Sequence, residues 1–138
     1  MAVSDAPPEL IAPCLDAEDG RALAAFWQQF LELPYRPGQG PDDDPTFIVI
    51  NDQAGTPKLA VQQVVSLPKA TWPSSDVPQQ VHLDLLVRTP EQQRHHVERA
   101  IALGASVLDD RSDDAADPLV VMADPAGHPF CLICPPRS

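Results

Sequence analysis

Two stretches decide the fold: "TFIVINDQAGTPKLAV" at residues 46–61 and "PLVVMADPAGHPFCLI" at residues 118–133. They align without a gap. Val49 falls on Val121, Asp52 on Asp124, Ala54 on Ala126, Gly55 on Gly127 and Pro57 on Pro129. Each stretch runs apolar, passes through an Asp-x-Ala-Gly turn and resumes apolar, which is the pattern of a β-hairpin. A hairpin used twice points to an internal repeat.

The segments before the hairpins correspond as well. "LIAPCLDAEDGRALAAFWQQFLEL" (10–33) predicts a short strand, then a helix capped by Asp19 with Leu23, Phe26, Trp27, Phe30 and Leu31 as its apolar stripe. "VHLDLLVRTPEQQRHHVERAIALGA" (81–105) predicts the same order. Thr89 and Gln92 form a capping box, Pro90 suits the first helical position, and Gly104 suits the helix end. Val97, Ala100 and Ile101 are the expected stripe of this helix, with His95 and His96 on its solvated side. A further strand is expected at about 106–109. Each half therefore predicts β-α-β-β-β, over 9–66 and 79–136, with a Pro- and Ser-rich linker at 67–78. Neither half is large enough to bury a good core alone, so the two are expected to pack as one domain over 1–138.

The bulk composition suits a globular protein, with 43% hydrophobic residues. The 17 prolines gather in the connecting stretches and punctuate the fold. A formal net charge of −11 argues against nucleic acid, which needs a basic face, and against anionic membranes, while it could steer a cationic ligand. Much of the acid sits in loops, at Asp42, Asp43 and Asp44 and again at Asp109, Asp110, Asp113 and Asp114. "MAVSDAPPEL" has neither the basic region nor the apolar core of a signal peptide, and three cysteines make no disulfide framework, so a reduced, cytoplasmic protein is the expectation. No motif for a nucleotide cofactor is present.

The paired β-α-β-β-β repeat, with "TWPSSDVPQQVHLDLLV", "ALGASVLDD" and "ADPAGHPFCLI" in its second half, resembles the vicinal oxygen chelate superfamily and its small glyoxalase-like proteins of the glyoxalase/bleomycin-resistance type. The resemblance implies an α+β fold in which two βαβββ modules curve their sheets around a shared cavity, with helices outside. Strand alternation agrees: in "VHLDLLV", Leu83, Leu85 and Val87 form a face for a helix, and His82, Asp84 and Leu86 form the other. Homodimers are common among such proteins, and a homodimer is an expectation here.

Metal-dependent members of that superfamily take a His-like ligand from the first strand and commonly a Glu from the last strand of each module. His82 matches the first-strand place of the second module, and Ala12 occupies its counterpart. Cys131 occupies the second module's last-strand place and Leu59, by the ungapped alignment, the first module's. Two of these four side chains are inert, so no metal or other cofactor is expected; a divalent ion, if held, would use His82, Asp84 and Cys131. The expected function is binding of a small organic molecule in the inter-module cavity, walled by Leu59, His82, Asp84, Cys131 and Trp72. The alternative is a lyase or isomerase in which His82 and Asp84 are catalytic, with or without a divalent metal. His82 can also be read as hydrogen-bonding cavity wall, Asp84 as a partner that orients His82 or a neighbouring backbone group, Trp72 as a seal between modules, and Cys131 as a small apolar packer. His128 is expected in the solvent-exposed turn, and Cys134, three residues beyond Cys131, on the helix-facing side.

Overall fold

Capping chemistry starts both helices at the expected residues in the computed structural model, which describes residues 6–40, 43 and 46–137. Asp42 and Asp44 of the acidic run lie outside the described residues. The Asp19 carboxylate accepts from Ala22 N at 3.0 Å and opens helix α1 (Gly20–Leu31), which follows strand β1 (Cys14–Ala17). Thr89 accepts from Gln92 N at 3.1 Å and opens α2 (Pro90–Ala102), after strand β4 (Leu83–Leu86). The Gln92 side chain reaches back to Arg88 N at 2.9 Å, one residue before the usual capping-box target. Gly104, with φ of 114°, closes α2 in a conformation that costs an L side chain steric strain.

The first half completes a sheet of order β1-β3-β2 with β2 (Phe47–Asn51) and β3 (Pro57–Gln63). The second half completes β4-β7-β6-β5 with β5 (Ser106–Arg111), β6 (Leu119–Ala123) and β7 (Pro129–Ile133). In each sheet the first strand pairs parallel with the last, and the hairpin is antiparallel. The two halves differ after the helix. Where the second half places β5, the first has a single bridge, Tyr35 to Ile50, held by Arg36 N to Val49 O and Asn51 N to Pro34 O. Pro34 and Pro37 flank this segment and lack the N–H groups that a longer ladder needs. The β-α-β-β-β expectation thus holds in full for the second half only.

A bulge breaks the gapless alignment. Ile50 pairs with Leu59 but Asn51 pairs with Pro57, so Lys58 is an extra residue on β3. In the second hairpin Met122 pairs with Phe130 and Ala123 with Pro129, with nothing inserted. Beyond the bulge, Leu59 therefore takes the place of Phe130 and Ala60 that of Cys131. Because strand faces alternate, this one-residue offset reverses the face on which Leu59 was expected.

The core joins both halves. Phe26, Trp27 and Phe30 of α1 lie against Phe130 of β7, with Trp27 and Phe130 edge to face at 5.0 Å. Such aromatic pairs add about 0.5–1.5 kcal/mol beyond their buried area. Leu15, Ile48, Ile50, Leu59 and Val61 from the first sheet share this core with Val120, Met122 and Leu132 from the second. Cys134 is buried in it, on the expected side. Ile101 departs from expectation: it is half exposed, and Gln93 takes the buried stripe with Val97 and Ala100. Gln93 is tolerated there because its Nε2 donates to Pro118 O at 3.2 Å and Leu132 O at 3.0 Å, tying α2 to the sheet. Among the described residues, no helix is long and apolar enough to cross a membrane.

Candidate functional site

Parallel pairing of β4 with β7 sets the site. Asp84 lies opposite Cys131, and Leu85 opposite Leu132. Alternation sends Leu83, Leu85 and Val87 toward the core and leaves His82, Asp84 and Leu86 on the inner face. His82 stands just before β4, and its Nε2 lies 3.4 Å from Asp84 Oδ1. Both side chains are about half exposed, at 47% and 56%.

A cavity of about 190 Å³ opens on this face and gathers three of the expected residues, Trp72, His82 and Cys131. Asp84 is outside its lining but lies beside His82 and opposite Cys131 in the ladder. Leu59 is not a wall. It is 2% exposed within the shared core, because the Lys58 bulge turns it away, and Ala60 is the residue in register with Cys131. The described lining comes from the second half and the linker, not from both halves.

Gln79 and Arg111 also line this cavity and were missed from sequence. Arg111 pairs with Leu119, and Asp109 with Val121, so both belong to the inner face. The expected strand end at 109 was two residues short. Had β5 been extended, alternation from Asp109 would have found Arg111. Gln79 lies just past the linker and ahead of β4, where no periodicity signals a direction. Arg111 Nε is held by Asp109 Oδ2 at 2.7 Å.

The Cys131 thiol is pushed up from its ordinary value, first by burial, then by the Asp84 charge and a hydrogen bond with Asp84; Arg111 partly opposes this. Thiolate is the nucleophilic and metal-binding form, so both roles are disfavoured near neutral pH. The donor set also fits a divalent ion poorly. No three His, Cys, Asp or Glu side chains among the described residues come together as an ion site. Of the counterpart positions in the first half, Ala12 and Ala60 offer no donor, which leaves Cys14 alone in the place of Asp84.

Two other histidines differ from expectation. His96 is partly buried, edge-on to Phe30 at 6.2 Å, with Nδ1 2.9 Å from Arg99 Nη1. Burial and then the Arg99 charge lower its proton affinity. His128 sits in the turn, but its side chain is only 19% exposed. Its Nδ1 lies 3.1 Å from both oxygens of Asp124, a fully buried carboxylate. Asp124 also accepts from Ala126 N, His128 N and Trp27 Nε1, so one carboxylate closes the turn and anchors α1. Sequence reading saw the turn aspartate but not its partner, which is 97 residues away. A second cavity, of about 260 Å³, lies between β1, the linker and this turn, with Asp16, Gln79 and His128 among its lining.

The profile of the family described as "Glyoxalase-like domain" matches residues 12–133. Among solved structures, the chain is similar to a glyoxalase/bleomycin resistance protein/dioxygenase family enzyme from Burkholderia phytofirmans PsJN, at 18% identity and a TM-score of 0.67, over 92% of this chain and 98% of that one. It is similar to a genomically encoded fosfomycin resistance protein from Listeria monocytogenes, complexed with Mn(II) and sulfate, at 18% identity and a TM-score of 0.67, over 94% and 92%. It is also similar to a glyoxalase/bleomycin resistance protein from Albidiferax ferrireducens T118, at 18% identity and a TM-score of 0.62, over 92% and 98%. At these identities the likeness shows the fold. Among curated proteins, none matches the sequence significantly.

Proposed function

The chain belongs to the glyoxalase-like domain family, and on that premise we propose that it binds a small organic molecule on the inner face of its second sheet, without a resident metal. One observation carries the reading: Trp72, His82, Arg111 and Cys131 converge on one cavity on that face. An apolar pocket with a few convergent polar groups is the usual form of a small-molecule site. Trp72 and Val121 offer apolar contact, and His82, Gln79 and Arg111 offer hydrogen bonds. The poor donor set supports a metal-free site.

A second reading is favoured by the contact between His82 and Asp84. A carboxylate beside an imidazole can orient it for proton transfer, as a lyase or isomerase requires. A homodimer belongs to the same proposal, since Phe47 and Leu86, at 40% and 57% exposure, lie on the inner faces where a second copy would cover them. Light scattering at micromolar concentration tests it, and a monomer throughout would remove it.

The binding reading is tested by Trp72 fluorescence. Trp27 is fully buried, so quenching by a library compound reports Trp72. Hits should quench wild type and lose affinity in His82→Ala and Arg111→Ala. Near-stoichiometric metal in the purified protein, lost in His82→Ala, would overturn the metal-free site. Turnover of a carbonyl compound by metal-free protein, abolished in Asp84→Asn, would replace binding with catalysis.

A further inference from the structure

We propose that residues 71–77 of the linker form a lid that opens and closes as one body over the inner-face cavity, with Lys69 on the Gly127 turn fixing its closed position. The lid rests on the proposed function, because it controls access to that same site.

The loop is braced within itself. Thr71 N donates to Val77 O at 2.8 Å, and Val77 N donates to Thr71 Oγ1 at 2.9 Å. Ser74 N donates to Thr71 O at 2.8 Å and Asp76 N to Ser74 Oγ at 3.1 Å. Among the described residues, 65–81 make no hydrogen bond with the rest of the chain. A segment held this way separates from the body at far lower cost than a core strand. Two of its side chains are not fully exposed. Trp72 lines the inner-face cavity with His82, Arg111 and Cys131, and Val77 lines the cavity beside β1. The Thr71–Val77 bonds join these two side chains, so they move together.

Two contacts describe the closed position. Gln79 Oε1, just beyond the loop, is buried without a hydrogen-bond partner. Opening admits water to this atom and relieves its desolvation, which keeps the closed state from being locked. On the other flank, the Lys69 stem lies on the β6–β7 turn. A Cβ added at Gly127 would meet Lys69 Cβ and Cγ, each at 2.9 Å, whereas one added at the equivalent Gly55 would meet nothing within 4 Å. Only the second turn therefore seats the linker. Gly127 and Gly55 have φ of 93° and 86°, so alanine strains both turns alike, and at Gly127 alone it also displaces the linker.

The test is ¹⁵N relaxation dispersion on the full-length chain, together with acrylamide quenching. The Trp72 indole and the amides of 71–77 should exchange with one shared rate, on the microsecond-to-millisecond scale of lid motion. Acrylamide reads Trp72 because Trp27 is fully buried. Gly127→Ala should raise that quenching and shift the emission to the red, and Gly55→Ala should change neither. Thr71→Val removes the brace, so Trp72 and Val77 should then exchange at separate rates while the urea midpoint stays in place. A loop without exchange, separate rates in the wild type, or equal quenching in the two glycine variants would each overturn the lid. These readings need no ligand. A loop that fails them leaves the Trp72 binding test standing, and the absence of any binding compound would count against the proposed function, not against the lid.

Discussion

Asp124→Ala and Asp52→Ala form a matched pair, because the repeat places the same turn carboxylate in two environments. Asp52 accepts from Ala54 N and Thr56 N, both at 2.9 Å, in a solvent-accessible turn. Asp124 accepts from Ala126 N at 3.0 Å and His128 N at 2.9 Å, and additionally from the buried Trp27 indole at 3.0 Å, with His128 Nδ1 at 3.1 Å. In Asp52→Ala, water can satisfy the freed N–H groups, so the loss should be about 1 kcal/mol. In Asp124→Ala, the Trp27 N–H is left in a site with no exposure and no acceptor. Adding a stranded indole N–H and a lost imidazole contact brings the total to about 4 kcal/mol. With an m-value of about 2 kcal/mol per molar urea, the midpoints should fall by about 2 M and about 0.5 M respectively. Urea unfolding followed by far-UV circular dichroism measures both. Adding Trp27→Phe to each gives a double-mutant cycle, with coupling of about 1.5 kcal/mol expected to Asp124 and none to Asp52. Equal losses in the two single variants, within about 0.5 kcal/mol, would refute the claim that Asp124 anchors α1.

Site-resolved alkylation should show Cys131 reacting with its half-maximal rate above pH 9.0, the ordinary thiol value, and Asp84→Asn should lower that midpoint. Because the folded-state value is raised, its contribution to stability is complete below the unfolded thiol's pKa and is lost as pH rises through the folded value; a urea midpoint indifferent to pH on the alkaline side would contradict it. His96 has the opposite sign: its lowered folded value contributes stability above the unfolded histidine's pKa that is lost as pH falls through the folded value, and His96→Gln should flatten this acid limb of the urea midpoint. Deleting Lys58 should remove the bulge, leave Leu59 and Val61 facing the core and shift the melt by only a few degrees; loss of cooperative unfolding would show that Lys58 is in register. Gln93→Leu strands the Pro118 and Leu132 carbonyls and should cost about 2 kcal/mol in urea unfolding.

The repeat was legible because periodicity and capping are local. Asp19, Thr89 and Pro90 announce both helices, and the Asp-x-Ala-Gly turns announce both hairpins. The face of β3 was not legible, since a bulge of one residue leaves the sequence alignment intact while reversing every side chain beyond it. That single offset put Leu59 in the expected site and hid Ala60. The burial of His128 was equally hidden, because it depends on Asp124 meeting Trp27 from the other half. Arg111 failed for a smaller reason, a strand boundary set two residues early.

Correcting the register sharpens where the chemistry resides. On the inner faces, His82, Val121 and Cys131 of the second half correspond to Ala12, Val49 and Ala60 of the first. The middle pair is conserved in kind, and the two polar positions both become alanine. The first-half face keeps polar groups of its own further along, Cys14 in register with Ala60 and Asp16 in register with Gln62. An organic ligand with one polar edge and one hydrocarbon edge matches the mixed character of such faces. The asymmetry between the halves thus sets His82 and Cys131 on one inner face and alanine at each counterpart on the other.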